Sequence, residues 1–234
     1  MSDCIAPFLA HLAALDRSRN TIHAYRVDLQ QFSSWFESVN GDAMAPDLIT
    51  PTDLREFKTW SVKQRNAKPS TVNRKLASLS AYLKWAVEEG MIDAAPRMPS
   101  TAEQVPISPK SLDRKEMHAL IRAVERSGNT RDQAILALLL NTGLRVRELS
   151  DLNLNDVEMT ERKGKLVVRS GKGNKRREVP INAEARRALN VYLKQRGQTQ
   201  GALFSGQQGG RLGTRGIQDV VRKYGRIAGL DSLT

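Results

Sequence analysis

The stretch Asn141-Thr142-Gly143-Leu144-Arg145-Val146-Arg147-Glu148-Leu149, followed 22 residues later by Gly171-Lys172-Gly173-Asn174-Lys175, decides how this chain reads. Thr142-Gly143 ends one helix, and Arg145 opens the next, whose Val146, Leu149 and Leu152 point inward. The Arg145 guanidinium is therefore expected to be only partly solvated, and Glu148, three positions on, shares its helix face and can orient it. Arginine suits a phosphate because its planar fork donates two parallel hydrogen bonds and keeps its charge. Taken alone, the pair reads as a structural ion pair ahead of a phosphate site. The glycines on either side of Lys172 favour the phosphate: they allow a sharp turn that projects a lysine from a two-stranded ribbon. Such a lysine can protonate a departing oxygen. Together the two segments suit chemistry at a phosphodiester without a metal ion. Lys175, Arg176 and Arg177 are expected only to neutralise phosphates. A Walker cradle is excluded, since no glycine lies five residues before Gly171 and no Ser or Thr follows Lys172.

Around these motifs the second part of the chain reads as a mixture of helices and short strands. Asp113 and Glu116 form a capping-box pattern that opens a helix to about residue 127. Residues 131–141 are apolar all round and so central. A short helix over 145–152 precedes strands at 165–169 and 176–181. A helix over 183–196, a short strand at 202–204 and a last helix over 214–228 complete it. That last helix carries Ile217, Val220, Val221 and Ile227 with no later segment to cover them, which predicts exposed apolar surface and marginal stability.

The first part reads as helices only. Ile22, Tyr25, Leu29, Phe32 and Phe36 line one side of a helix over 21–36, capped by Asn20 or Thr21. A second helix, over 52–64, starts weakly after Pro51 with Thr52 and Arg55. The clearest runs over 70–87, where Val72, Leu76, Leu79, Leu83 and Val87 form a narrow stripe and Ser70, Arg74, Ser78 and Ala81 lie opposite. Small residues plus one arginine let a helix approach a phosphate closely, although a solvated face reads the same way. Gly90 and Pro96, Pro99, Pro106 and Pro109 mark an extended linker. Its reach, about 50 Å for 15 extended residues, would let two lobes flank a duplex as a clamp.

Charge supports a polyanionic partner. Of the net +12, residues 1–100 contribute 12 Lys/Arg against 11 Asp/Glu, and residues 101–234 contribute 25 against 14. Eight basic and no acidic residues fall between Arg162 and Arg177, a density that repels itself unless a polyanion lies against it. The single cysteine, Cys4, is placed near a frayed terminus; it excludes an intrachain disulfide, and no Cys/His cluster has metal-ligand spacing. A reducing cytoplasm fits. No apolar run approaches the roughly 18 residues a membrane span needs.

On Thr142-Gly143-Leu144-Arg145 with Glu148 and on Gly171-Lys172-Gly173-Asn174-Lys175, the chain resembles the tyrosine site-specific recombinases, Xer-type recombinases and phage-type integrases among them. The likeness extends over Leu203-Phe204 and Gly209-Gly210. It implies a mainly α fold with a small β-hairpin or sheet: a SAM-like helical core-binding domain at 1–89, a linker at 90–109, and at 110–234 the first part of an α+β catalytic domain. It also implies a tyrosine attacking a DNA phosphodiester to give a covalent 3′-phosphotyrosyl bond, with no cofactor, on specific double-stranded sites within a tetramer. Arg145 then corresponds to the first catalytic arginine, Glu148 to its supporting acid and Lys172 to the hairpin lysine. Expected DNA contacts are Ser70, Thr71, Arg74, Lys75 and Lys84 in the first domain and Arg169, Lys175, Arg176, Arg177 and Arg215 in the second. The family's His-x-x-Arg element and nucleophilic tyrosine would follow residue 228, and His23-x-x-Arg26 matches only by letters. The chain is accordingly expected to be truncated before them, binding DNA without cleaving it. A binding-only competitor at recombination sites and a type IB topoisomerase-like enzyme are the rival readings, and the compact helical first domain disfavours the second.

Overall fold

A computed structural model describes residues 4–103, 111–169, 176–197, 200–206, 209–230 and 233. The chain divides into two compact units at Ser108/Pro109, and most of each is helical.

In the first unit, α1 (Ile5–Ala14), α2 (Arg19–Asn40), α3 (Pro51–Lys63) and α4 (Pro69–Glu88) surround an aromatic-rich core. Leu29, Phe32, Leu54, Phe57, Leu79, Tyr82 and Leu83 are fully buried. Phe32 meets Phe57 edge-on at 5.0 Å, the arrangement that ring quadrupoles favour. Three details depart from the sequence reading. The terminus is not frayed at Cys4, because α1 buries Ile5, Phe8 and Leu12, and the Cys4 thiol donates to the Met44 carbonyl at 3.1 Å. Ser18 caps α2, its hydroxyl accepting from the Thr21 N–H. Thr50, not Thr52, caps α3: Asp53 closes a capping box back onto Thr50, with Pro51 at the first helical position, where its missing N–H costs nothing. Beyond α4 the chain stays with this unit as far as Ala102, which exchanges two hydrogen bonds with the Asn73 side chain.

The second unit holds α5 (Arg114–Arg126), α6 (Thr130–Thr142), α7 (Val146–Asp151), β1 (Val157–Met159), β2 (Gly164–Val168), β3 (Arg177–Pro180), α8 (Ala183–Arg196) and α9 (Thr214–Ile227). Asp113 and Glu116 form the anticipated capping box on α5. α6 is central: no residue from Arg131 to Thr142 is exposed. The strands make an antiparallel sheet in the order β1-β2-β3, with Val157 opposite Leu166 and Val168 opposite Arg177. β1 was not foreseen, being too short for an alternation to register. In place of the strand expected at 202–204, two isolated bridges pair Asn153 with Ala202 and Ser205 with Arg211.

The expectation that the last helix lies bare is overturned for most of its apolar face. Ile217 and Tyr224 are fully buried and Val220 nearly so, in one core with α5 and α7 residues, and Val221 packs against it; Ile227 alone of the expected four stands open, 61% exposed. The reason is that Leu203, Phe204 and Leu212, together with Leu120, Val124 and Leu149, supply the covering surface from earlier in the sequence.

Candidate active site

Gly143, at φ +63°, takes the left-handed conformation that ends α6 and turns the chain within two residues to Arg145. Arg145 is the N-cap residue of α7, and Glu148 is three positions into it. A six-residue helix has little stability of its own. It is held by tertiary bonds: Ser150 Oγ donates to the Leu212 carbonyl at 2.8 Å, and Arg211 donates to the carbonyls of Ser150 and Leu152 at 2.7 and 3.0 Å and to Asn153 Oδ1 at 2.6 Å.

The burial is the reverse of that expected. The Arg145 side chain is 61% exposed, while Glu148 is only 5% exposed. Glu148 accepts four hydrogen bonds. Oε1 takes Arg145 Nη1 at 3.1 Å and Arg177 Nη1 at 2.9 Å; Oε2 takes the Arg145 backbone N–H at 2.9 Å and Arg177 Nη2 at 2.8 Å. Arg177 is thus a bidentate clasp on Glu148, a pairing that the sequence did not indicate. Chiefly because of that clasp, and then of the Arg145 N–H and guanidinium, the Glu148 carboxyl is held down at about 2 despite its burial. The three groups carry a net charge of +1 at neutral pH, and on its exposed side Arg145 keeps donors that meet no acceptor among the described residues. They can bind an oxyanion.

Arg169 is also held, its Nε donating at 2.5 Å to Asp156, a carboxylate that is 1% exposed. Asp156 additionally accepts the Asn153 N–H, so it fixes the turn leading into β1. Arg176 is exposed, as is Arg215 in the first turn of α9. Lys172 and Lys175 lie outside the described residues.

In the first unit the exposed stripe of α4 comprises Ser70, Arg74, Ala77, Lys84 and Glu88, with Thr71 half-buried beside it. Three expected members are not on it: Ala81 is half-buried and packs against the core, and the other two are buried. Lys75 is 5% exposed, with its ammonium 5.8 Å from the centre of the Phe57 ring. Burial holds that ammonium below the usual lysine range, and the attraction of Asp28 offsets this only in part. Ser78 is buried too, and donates to Asp28 at 2.8 Å. The buried acids Asp28 and Asp156 and the bracing Arg211 escaped the sequence reading. Asp28 left one signal: it falls inside the apolar stripe of Tyr25, Leu29 and Phe32, where a carboxylate needs a partner.

Three of the four tyrosines are buried in cores, and Tyr25 is half-buried against one. Tyr25 lies edge-on to Phe8, and Tyr82 is fully buried. Tyr192 stacks on Phe204, and the Tyr224 hydroxyl bonds Asp132 and Ser127, both at 3.0 Å.

Residues 110–234 match the phage integrase family, and residues 5–90 match the phage integrase N-terminal SAM-like domain. The tyrosine recombinase XerD of Ralstonia nicotianae is 32% identical over 220 residues, covering 90% of this chain and 69% of the relative. The tyrosine recombinase XerC of Corynebacterium efficiens is 32% identical over 244 residues, covering all of this chain and 74% of the relative. Among solved structures, a lambda integrase tetramer bound to a Holliday junction matches with a TM-score of 0.73 at 16% identity, over 99% of this chain and 63% of that one. At that identity the likeness is one of fold.

Proposed function

This chain belongs to the phage integrase family, and from that premise we propose that it binds double-stranded DNA at recombination sites and carries the arginine–lysine half of a strand-exchange centre. The observation that supports the reading most directly is Glu148 shared between Arg145 and Arg177, which presents an exposed guanidinium from a fixed base within a net positive locus. Arg145 would take two non-bridging oxygens of a phosphodiester and stabilise the added charge of the pentacoordinate phosphorus. A tyrosine oxygen forms the new bond to phosphorus while the bond to the 5′ oxygen breaks, and Lys172 supplies the proton to that leaving oxygen. The product is a 3′-phosphotyrosyl ester and a free 5′ hydroxyl, and attack by a partner strand's 5′ hydroxyl reverses the step. Glu148 is a positioning residue: with its carboxyl at about 2 it stays ionised throughout the neutral range.

The packing or hydrogen bonding of each of the four tyrosines within its own unit supports the reading that the attacking group is none of them. On that reading these residues bind DNA, and cutting requires a tyrosine other than these four. A tetramer on DNA and a cytoplasmic setting accompany the proposal. The experiment is incubation with a nicked suicide duplex that traps a covalent intermediate. The expected result is a salt-sensitive, non-covalent complex and no denaturant-resistant adduct. Failure to bind any duplex sinks the DNA reading, and an adduct abolished by mutating one of the four tyrosines sinks the assignment of the nucleophile elsewhere.

A further inference from the structure

Among the described residues five carboxylates are buried: Asp28, Asp53, Asp132, Glu148 and Asp156. Asp53, Glu148 and Asp156 each accept a backbone N–H at the start of a helical turn, so local structure accounts for them. Asp132 stands in the first turn of α6 and takes both the Tyr224 hydroxyl and Arg131. Asp28 differs. It sits in the middle of α2, is 1% exposed and caps nothing. Oδ2 accepts from Arg74 Nη1 at 2.5 Å and from Ser78 Oγ at 2.8 Å, both on α4, while Oδ1 has no hydrogen-bond partner among the described residues. A buried carboxylate with half its acceptor capacity unused is a poor stabiliser, because desolvating it costs about as much as one ion pair returns. Packing alone would favour an apolar residue there.

What the carboxylate does accomplish is to fix Arg74. That side chain is 49% exposed, and apart from Nη1 its donors meet no protein acceptor among the described residues. It stands on the α4 stripe between Ser70 and Ala77, whose short side chains leave the helix surface open. The second unit uses the same device, a buried acid holding an exposed arginine by one edge, in Glu148 and Arg145. We infer that Asp28 is a positioning residue for DNA binding: it anchors the Arg74 guanidinium from inside the first unit so that its free edge meets a backbone phosphate. The inference rests on the DNA-binding reading above.

The test is fluorescence anisotropy of the full chain on a short mixed-sequence duplex over a range of salt, with thermal melts alongside. Asp28→Asn and Arg74→Ala are each expected to weaken binding about tenfold, as for one charge-assisted contact, and to lower the slope of log affinity against log salt by about 0.9, one phosphate's worth. The double variant should be no weaker than the poorer single. Arg74→Lys leaves Asp28 untouched and keeps the charge. It should bind like Arg74→Ala, because a compact ammonium drawn onto Asp28 has no second edge to offer. A wild-type slope and affinity in Asp28→Asn, additive losses in the double variant, or full binding by Arg74→Lys each overturns the inference while the DNA reading survives. A wild-type chain that fails to bind overturns both.

Discussion

Glu148 concentrates the residue-scale physics. Its folded carboxyl titrates at about 2, against an ordinary value of 4.5, because two arginines and a backbone N–H favour the charged form. A depressed folded value means stability that is present above the unfolded carboxylate range and lost as pH falls from about 4.5 toward 2. At 1.36 kcal/mol per pH unit this is at most about 3 kcal/mol. The acid limb of the stability curve should therefore be shallower in Glu148→Gln than in the wild type; superimposable limbs in denaturant melts would remove this account. Arg177 is the main cause of the depression, so in Arg177→Ala the Glu148 carboxyl, followed by carbon-13 NMR titration, should move up toward the ordinary range. An unmoved titration would mean that Arg145 alone suffices. Here sequence and structure part company instructively. Arg145 and Glu148 are legible together because three positions on a helix fix their neighbourhood. Arg177 is 29 residues from Glu148, and only the β2–β3 pairing brings it there; no spacing along the chain encodes that meeting. The expected burial of Arg145 failed for a related reason. A charged pair at a surface buries its shorter, better-capped member and leaves the long side chain in water.

Elements are legible where an apolar stripe runs for several turns, as in α2 and α4, or where a helix is apolar all round, as in α6, and are lost where the signal is short. β1 has three residues. The start of α3 was sought after Pro51, whereas the cap stands before it at Thr50. α1 is short and near the terminus, yet Ile5, Phe8 and Leu12 give it a buried face. α9 was identified correctly as a helix and wrongly as bare, because periodicity tells which face is apolar and not what covers it. The structure turns that error into a measurable contrast. Ile217 is fully buried between α5 and α7 residues, while Ile227 on the same helix is 61% exposed. Ile217→Ala should cost about 2–4 kcal/mol in denaturant unfolding, the sum of lost transfer energy and the cavity left behind. Ile227→Ala should fall within about 0.5 kcal/mol of wild type. Equal costs at the two positions would mean that α9 does not dock as described.

At the scale of the whole chain, the uneven distribution of the net +12 drew attention to the second unit and made the first look neutral. That average concealed a local field: residues 55–84 hold eight basic side chains and one acidic, with most of the balancing acids elsewhere in the unit. Burial then divides the basic set. Lys84 is exposed on the α4 stripe, whereas Lys75, nine positions earlier, is enclosed with its ammonium over Phe57. Removing either cation lowers the formal charge by the same amount, from +12 to +11. If affinity for DNA followed total charge, Lys84→Ala and Lys75→Met would weaken binding alike. A phosphate contact requires an ammonium that can reach the phosphate and release a condensed counterion, so position should govern instead. Lys84→Ala is expected to lose affinity and about 0.9 of the log–log salt slope. Lys75→Met should keep both and register its effect in the thermal transition of the first unit, since an apolar side chain replaces a charge that burial already disfavours. Matched losses of affinity and slope in the two variants would place the interaction in the long-range field of the chain and not on the exposed face of α4.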